Sequence, residues 1–239
     1  MNFGNATFSV IDERSAPPAL FLALYDEILK PSFPAEELVD RSELVEAIAD
    51  PDERVCASLV VGPNAVVMAG MVGEWFGGSG VLLESYVAVR PGLRGSGIGT
   101  KMVQATVQGW IKRFDPMLVV GEVEDPRHYF VSRYGDPVAR LRFYSRLGGK
   151  VLPLPYFQPA LRDGCDRVYN LLLMTFVVSP RCLVGPDLVR ASTVETFLQE
   201  NIVASEGAIE YEDDDVRRLL AAARGKDGLR LQAPALYLA

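Results

Sequence analysis

The chain has 239 residues, and 49% of them are apolar, enough to bury a sizeable core and unlike a disordered or low-complexity protein. A formal charge of −7 argues against a nucleic-acid partner, which favours a basic face, and suits a cationic ligand slightly better than an anionic one. Three cysteines (Cys56, Cys165, Cys182) and the single His128 offer neither a disulfide framework nor a metal site, and suit a reducing cytosol. The first residues lack the basic start and apolar stretch of a signal peptide. The longest apolar run, Leu171–Val178 interrupted by Thr175, is far too short to span a bilayer, so a cytoplasmic protein with no membrane partner is expected.

Alternation predicts a first strand over 6–12, and the spacing of Leu20, Leu24 and Ile28 predicts a helix over 18–29. A proline-punctuated loop covers 30–40. Ser42 is then placed to cap a second helix over 42–49, with Glu43 and Glu46 in its first turn and Asp50, Pro51 and Asp52 ending it. Strands over 54–61 and 66–75, joined by Gly62, Pro63 and Asn64, read as a hairpin. Past Gly77, Gly78, Ser79 and Gly80 come a strand, Val81–Val89, and a helix reaching Phe114. A strand over 117–123 follows, then a helix over 137–147 closed by Gly148 and Gly149. Two last strands occupy 150–161 and 167–178. The remaining segment, 179–239, carries helices over 186–201 and 213–224 and an apolar finish over 229–238. Asp213, Asp214 and Asp215 ahead of Val216 read as an acid-rich helix start rather than a metal site.

The stretch with the most chemistry lies between the strand Val81–Val89 and its helix: Arg94, Gly95, Ser96, Gly97, Ile98, Gly99 and Thr100. Three glycines at alternate positions leave backbone N–H groups unshielded. The helix adds its own unpaired N–H groups and the positive end of its dipole, so the corner is suited to a phosphate or pyrophosphate. A dinucleotide fingerprint would need a third glycine where Thr100 stands, and no GxxxxGK[ST] run is present. The pattern Arg-x-x-Gly-x-Gly instead resembles the coenzyme A pyrophosphate loop of the GNAT superfamily of N-acetyltransferases. The strand Tyr86, Val87, Ala88, Val89, the Arg90-Pro91 break and Ile98 resemble that family's surroundings too.

The resemblance covers about residues 1–178, whose element order β-α-α-β-β-β-α-β-α-β-β is that of the family. It implies an α/β (α+β) fold with a mixed, mostly antiparallel central sheet flanked by helices, whose fourth and fifth strands splay apart. It further implies acetyl-CoA as cosubstrate and coenzyme A as product. The loop from Arg94 to Thr100 would hold the pyrophosphate, and the backbone of Val87, Ala88 and Val89 would pair with the pantetheine arm. On this reading 1–178 form the acetyltransferase domain. The segment 179–239 is a mainly helical extension that packs on the domain or on a second subunit, a homodimer being the commonest arrangement.

Acyl transfer to an amine needs a neutral amine, a stabilised oxyanion and a proton for the departing thiolate. Alternation puts Leu118, Val120, Glu122 and Glu124 on one face of the fifth strand. If that face lines a cleft, Glu122 and Glu124 bind an ammonium acceptor or relay its proton; otherwise they emerge into water, paired with Arg140 or Arg142. Glu84 is a second candidate base, or else a buried partner for an arginine. Tyr144 reads by spacing with Leu141 and Leu147 as a core aromatic. The string Phe143-Tyr144-x-x-Leu147-Gly148, however, resembles the family's helix whose tyrosine hydroxyl protonates the thiolate. In that family the glycine usually precedes Phe, whereas Gly149 stands there in this chain. The stretch 127–136, with Tyr129, Phe130 and Tyr134, is longer than the family's usual connection. It is either a lid or acceptor wall, with Tyr129 touching the acceptor, or a packed surface loop. The expected activity is acetyl-CoA-dependent N-acetylation of a small-molecule or peptide amine by direct attack in a ternary complex. The rival from another class is a non-catalytic acyl-CoA-binding sensor of the same fold.

Overall fold

A computed structural model describes residues 8–50, 54–162 and 164–238. The strand pairings within each part of the main sheet are antiparallel. The arrangement is mixed α/β, with a mostly antiparallel sheet flanked by helices, as the family resemblance implies. The chain forms two compact units: Met1–Trp75 with Glu84–Phe114, and Phe76–Leu83 with Asp115–Ala239.

In the first unit, β1 (Ser9–Asp12) pairs antiparallel with β2 (Val55–Val61), and β2 pairs antiparallel with β3 (Val67–Phe76). Strand β4 (Val81–Val89) enters this unit at Glu84. Helix α1 (Pro18–Leu24) runs on as a π-helical turn, Tyr25–Leu29, and α2 spans Arg41–Ala49. Phe21, Leu24, Ile28 and Leu29 are buried with Leu44, Ile48, Leu59, Tyr86 and Ala88. The close fit has a local cause at Gly70 of β3. A Cβ there would lie 2.2 Å from Leu24 Cδ1, so only a bare backbone lets α1 lie so near. Ser42 does not cap α2: it lies inside the helix, and Asp40 is the N-cap residue, making no side-chain cap bond. The hairpin turn holds a short 3-10 segment, Pro63–Ala65, with Asn64 and Ala65 both at φ 57°. Residues 6 and 7 of the expected first strand, and Pro51 and Asp52, lie outside the described residues.

In the second unit, β9 (Leu171–Val178) lies between β5 (Leu118–Glu124) and β6 (Lys150–Leu152), antiparallel to both. Helix α4 spans Pro137–Arg146 and starts on Asp136, whose carboxylate accepts from the N–H groups of Val138 and Ala139. The single strand expected over 150–161 is two strands, because Pro153 and Pro155 have no N–H for a ladder. β6 stops at Leu152, and β7 (Phe157–Gln158) pairs with β8 (Val168–Tyr169) instead. The strand expected over 167–178 is likewise cut, at Asn170, which adopts φ 59°.

The segment after Val178 departs from expectation at its start. Residues 186–190 are not helical: β10 (Leu183–Gly185), β11 (Leu188–Val189) and β12 (Leu229–Arg230) form a small antiparallel sheet. Helix α5 then spans Ala191–Glu206 and ends on Gly207 in the left-handed region, the usual glycine stop. Helix α6 (Asp214–Ala223) starts as the acid-rich run predicts, with Asp213 accepting from the N–H groups of Asp215 and Val216. Both helices bury their apolar faces in this unit's core. Phe197, Leu198, Ile202, Leu219 and Leu220 share one cluster with Leu118, Val120, Phe157 and Leu173. Two polar clamps accompany this packing. Glu200 accepts from the N–H groups of Gly78 and Ser79, each at 2.9 Å, holding the turn ahead of β4. Arg167 stacks over the Phe157 ring and donates to both oxygens of Glu206 and to Asp213.

Candidate functional site

In the first unit the glycine corner has the predicted form. Helix α3 (Ile98–Phe114) follows β4 across an exposed turn, its apolar face carried by Ile98, Met102, Val103 and Trp110. Gly95 and Gly97 sit at φ 79° and 83°, conformations that side chains with a Cβ rarely adopt. Open space lies where a Cβ would stand at either glycine. Ser96 Oγ donates to the carbonyl of Leu93, and Arg94 donates to the buried Ser32 hydroxyl at 3.1 Å. The corner therefore offers a helix N-terminus, glycine backbone and room for an anionic group, so these residues fit a coenzyme A pyrophosphate. Along β4, Ala88 is buried while Val87 and Val89 are half-buried.

Glu84 is 4% exposed, and neither carboxyl oxygen has a hydrogen-bond partner. Burial pushes this carboxyl well above the usual carboxylate range. The arginine partner that the sequence left open as an alternative is not there. A buried carboxyl with no hydrogen bond costs stability, so packing alone gives no reason for an acid at this position.

In the second unit, Glu122 and Glu124 part company. Glu124 pairs with Arg140 of α4, one of the two arginines the sequence offered. Burial raises its carboxyl, while the Arg140 charge and hydrogen bond act the other way. Glu122 is held on both oxygens, by the Tyr156 hydroxyl at 2.6 Å and by Gln158 Nε2 at 3.1 Å. The Tyr156 hydroxyl in turn accepts from Asn201 Nδ2 of α5 at 3.2 Å. Sequence reasoning missed Tyr156, Gln158 and Asn201. They lie tens of residues from Glu122, and no spacing ties them to it.

Tyr144 is buried and stacked on Phe176, with ring centroids 4.8 Å apart, and meets Phe143 edge-on. Its surroundings explain the departure at Gly149. A Cβ there would lie 2.9 Å from the Tyr144 carbonyl oxygen and 2.8 Å from Met174, and Phe176 already supplies the aromatic ring. In the inserted stretch, Tyr129 packs partly against the unit's core and donates to the carbonyl of Tyr169 at 2.8 Å. Phe130 stands 84% exposed at the tip. A cavity of about 520 Å³ opens beside Tyr156, lined also by Asp125, Arg127, Tyr169 and Arg218. Among the described residues there is no group of three or more His, Cys, Asp or Glu suited to a metal ion. No helix among them is long and apolar enough to cross a membrane.

Comparison with known proteins adds the following. Residues 21–115 match the family model described as the acetyltransferase (GNAT) family. A GNAT-family protein from Bacteroides thetaiotaomicron superposes with a TM-score of 0.56 at 20% identity, covering 83% of this chain and 98% of its own. An aminoglycoside 6'-N-acetyltransferase solved with coenzyme A gives a TM-score of 0.52 at 20% identity, covering 73% and 99%. A GNAT-family protein from Desulfovibrio desulfuricans gives 0.51 at 15% identity, covering 72% and 100%. At such identities the likeness is one of fold. No curated protein sequence matches the chain.

Proposed function

We propose that this protein, whose residues 21–115 match the model of the acetyltransferase (GNAT) family, acetylates a primary amine, using acetyl-CoA by direct attack with both substrates bound. The observation that carries the reading is the corner at Gly95 and Gly97, whose left-handed backbone and open outer side precede the N-terminus of α3. Arg94, Gly95, Ser96, Gly97, Ile98, Gly99 and Thr100 hold the pyrophosphate, and the backbone of Val87, Ala88 and Val89 lines the pantetheine arm. The coenzyme, when bound, supplies an acetyl group activated as a thioester.

The chain's own residues then have three tasks. Glu84 takes the amine proton. Its burial without hydrogen bonds makes its ionised form a stronger base than an exposed carboxylate. Tyr144 Oη gives a proton to the leaving sulfur. Glu122, with Glu124 and Tyr129, draws the acceptor's ammonium group before Glu84 takes the proton that leaves on attack. No cysteine is needed as an acyl carrier: Cys56 and Cys182 are fully buried, and burial raises the Cys56 thiol further.

The test is at Gly97. Valine at φ 83° is strained by about 1–2 kcal/mol and fills the space left for the phosphate. Gly97→Val is expected to lose acetyl-CoA binding by calorimetry while keeping its circular-dichroism spectrum. Unchanged affinity in that folded variant rules the corner out.

A further inference from the structure

We propose that the C-terminal helix α5 takes part in acetyl transfer, with Asn201 and Tyr156 acting as positioning residues for Glu122. The inference rests on Glu122 facing the acceptor amine, as proposed above. Its geometry is a relay of three groups. Asn201 Nδ2 donates to the Tyr156 hydroxyl at 3.2 Å, and that hydroxyl donates to Glu122 Oε1 at 2.6 Å. Because the hydroxyl oxygen receives the amide hydrogen, its own hydrogen is left to point at the carboxylate. Gln158 Nε2 donates to the other oxygen at 3.1 Å, so the carboxylate plane is pinned from two sides.

The anchoring groups are more deeply buried than the carboxylate they hold. Tyr156 is 4% exposed and Asn201 5%, while Glu122 is half-buried on β5. Polar groups sunk in a mainly apolar cluster contribute little to packing that leucine could not match, and they are tolerated when each finds its partner. Here the partners converge on the carboxylate of one half-buried residue. The adjoining residue, Glu200, fixes the same helix to the turn at Gly78 and Ser79, so α5 is held at the point where Asn201 leaves it.

The chemistry follows from orientation. A carboxylate that receives an ammonium group must present a lone pair in a fixed direction, and a misplacement of about 1 Å at such a group can cost ~100-fold. The experiment uses the full chain, acetyl-CoA and a probe panel of spermidine, kanamycin, glycine amide and a peptide with a free N-terminus. Tyr156→Phe and Asn201→Leu are compared with the wild type, each alone and in a Glu122→Gln background, on the best probe.

Each single variant is expected to lower kcat/KM for the amine ~10–100-fold, with acetyl-CoA affinity unchanged. In the Glu122→Gln background the further loss should shrink to within about twofold, because the group they position is already gone. Asn201→Gln, which can still donate, should recover part of the loss. If the wild type transfers acetyl but the losses multiply in full on top of Glu122→Gln, the two residues serve only the fold and the inference is overturned. Should a variant fail to fold, Gln158→Leu, acting on the other carboxylate oxygen, makes the same prediction. Absence of transfer by the wild type to every probe, with acetyl-CoA bound, overturns the proposed function and this inference with it.

Discussion

Replacing Tyr144 by Phe should lower turnover ~10²–10⁴-fold, the typical worth of a positioned acid, while acetyl-CoA affinity stays close to wild type. The substitution is clean because the ring does the packing. It stacks on Phe176 with centroids 4.8 Å apart and planes inclined by 27°, and it meets Phe143 at 5.1 Å. A phenylalanine keeps both contacts and its place beside Leu141, Val151 and Met174, and only the hydroxyl is removed. Steady-state rates with saturating acetyl-CoA, beside a calorimetric titration, separate loss of chemistry from loss of binding. Full turnover in the variant would make Tyr144 a core aromatic and nothing more.

Glu84→Gln is expected to act in opposite directions on rate and on stability. Turnover should fall by a similar ~10²–10⁴-fold, since the amide cannot take the amine proton. Stability at neutral pH should rise. The sign follows from burial, which raises the carboxyl's pKa in the folded state above its unfolded value. Above about pH 4 the unfolded chain has released a proton that the folded chain still holds, so each step upward in pH costs the wild type stability until the folded pKa is passed. Glutamine does not titrate. The variant should therefore match the wild type near pH 4 and gain on it steadily toward neutrality in thermal melts.

Other carboxyls act oppositely and cancel from that comparison. Burial alone would raise Glu206, but hydrogen bonds from Arg167 and the Ala160 N–H outweigh it and hold the carboxyl low. The N–H groups of Val216 and Asp215, with Arg167, do the same for Asp213. Their contribution is present above the ordinary carboxylate range and is lost on acidification, equally in both proteins. A variant less stable than the wild type at neutral pH, or a difference that does not change with pH, would refute this account of Glu84.

What the sequence made legible was local. The glycine corner is a run of consecutive residues between a strand and a helix, and the limits of β4 and the end of α3 at Phe114 follow from that run, although α3 already begins at Ile98, inside the run read as the turn. The start of α6 at Asp213 was legible for the same reason. Errors arose where apolar content outweighed punctuation. Pro153, Pro155 and Asn170 break strands that their apolar neighbours made look continuous. Asp187 at φ 52° similarly turns a segment that resembled the start of a helix into a hairpin. The setting of Glu122 was not legible, because it depends on Tyr156, 34 residues away, and on Asn201, 45 residues beyond that. Contacts of that kind exist only once α5 has packed on the unit's core. Gly149 lies between these cases: its departure from the family pattern was visible, but its cause, the nearness of the Tyr144 carbonyl and Met174, was not.

The most direct test of the central claim is to incubate the full chain with acetyl-CoA and each amine probe, and to follow acetylated amine and free coenzyme A by mass spectrometry. Reading both products avoids any background from Cys165, the one cysteine that is not fully buried. The account predicts the two products in equal amounts, with product formation requiring both the protein and the amine. Tight binding of acetyl-CoA with no amine-dependent product, across the whole panel, would contradict it and leave a sensor of acyl-CoA in its place.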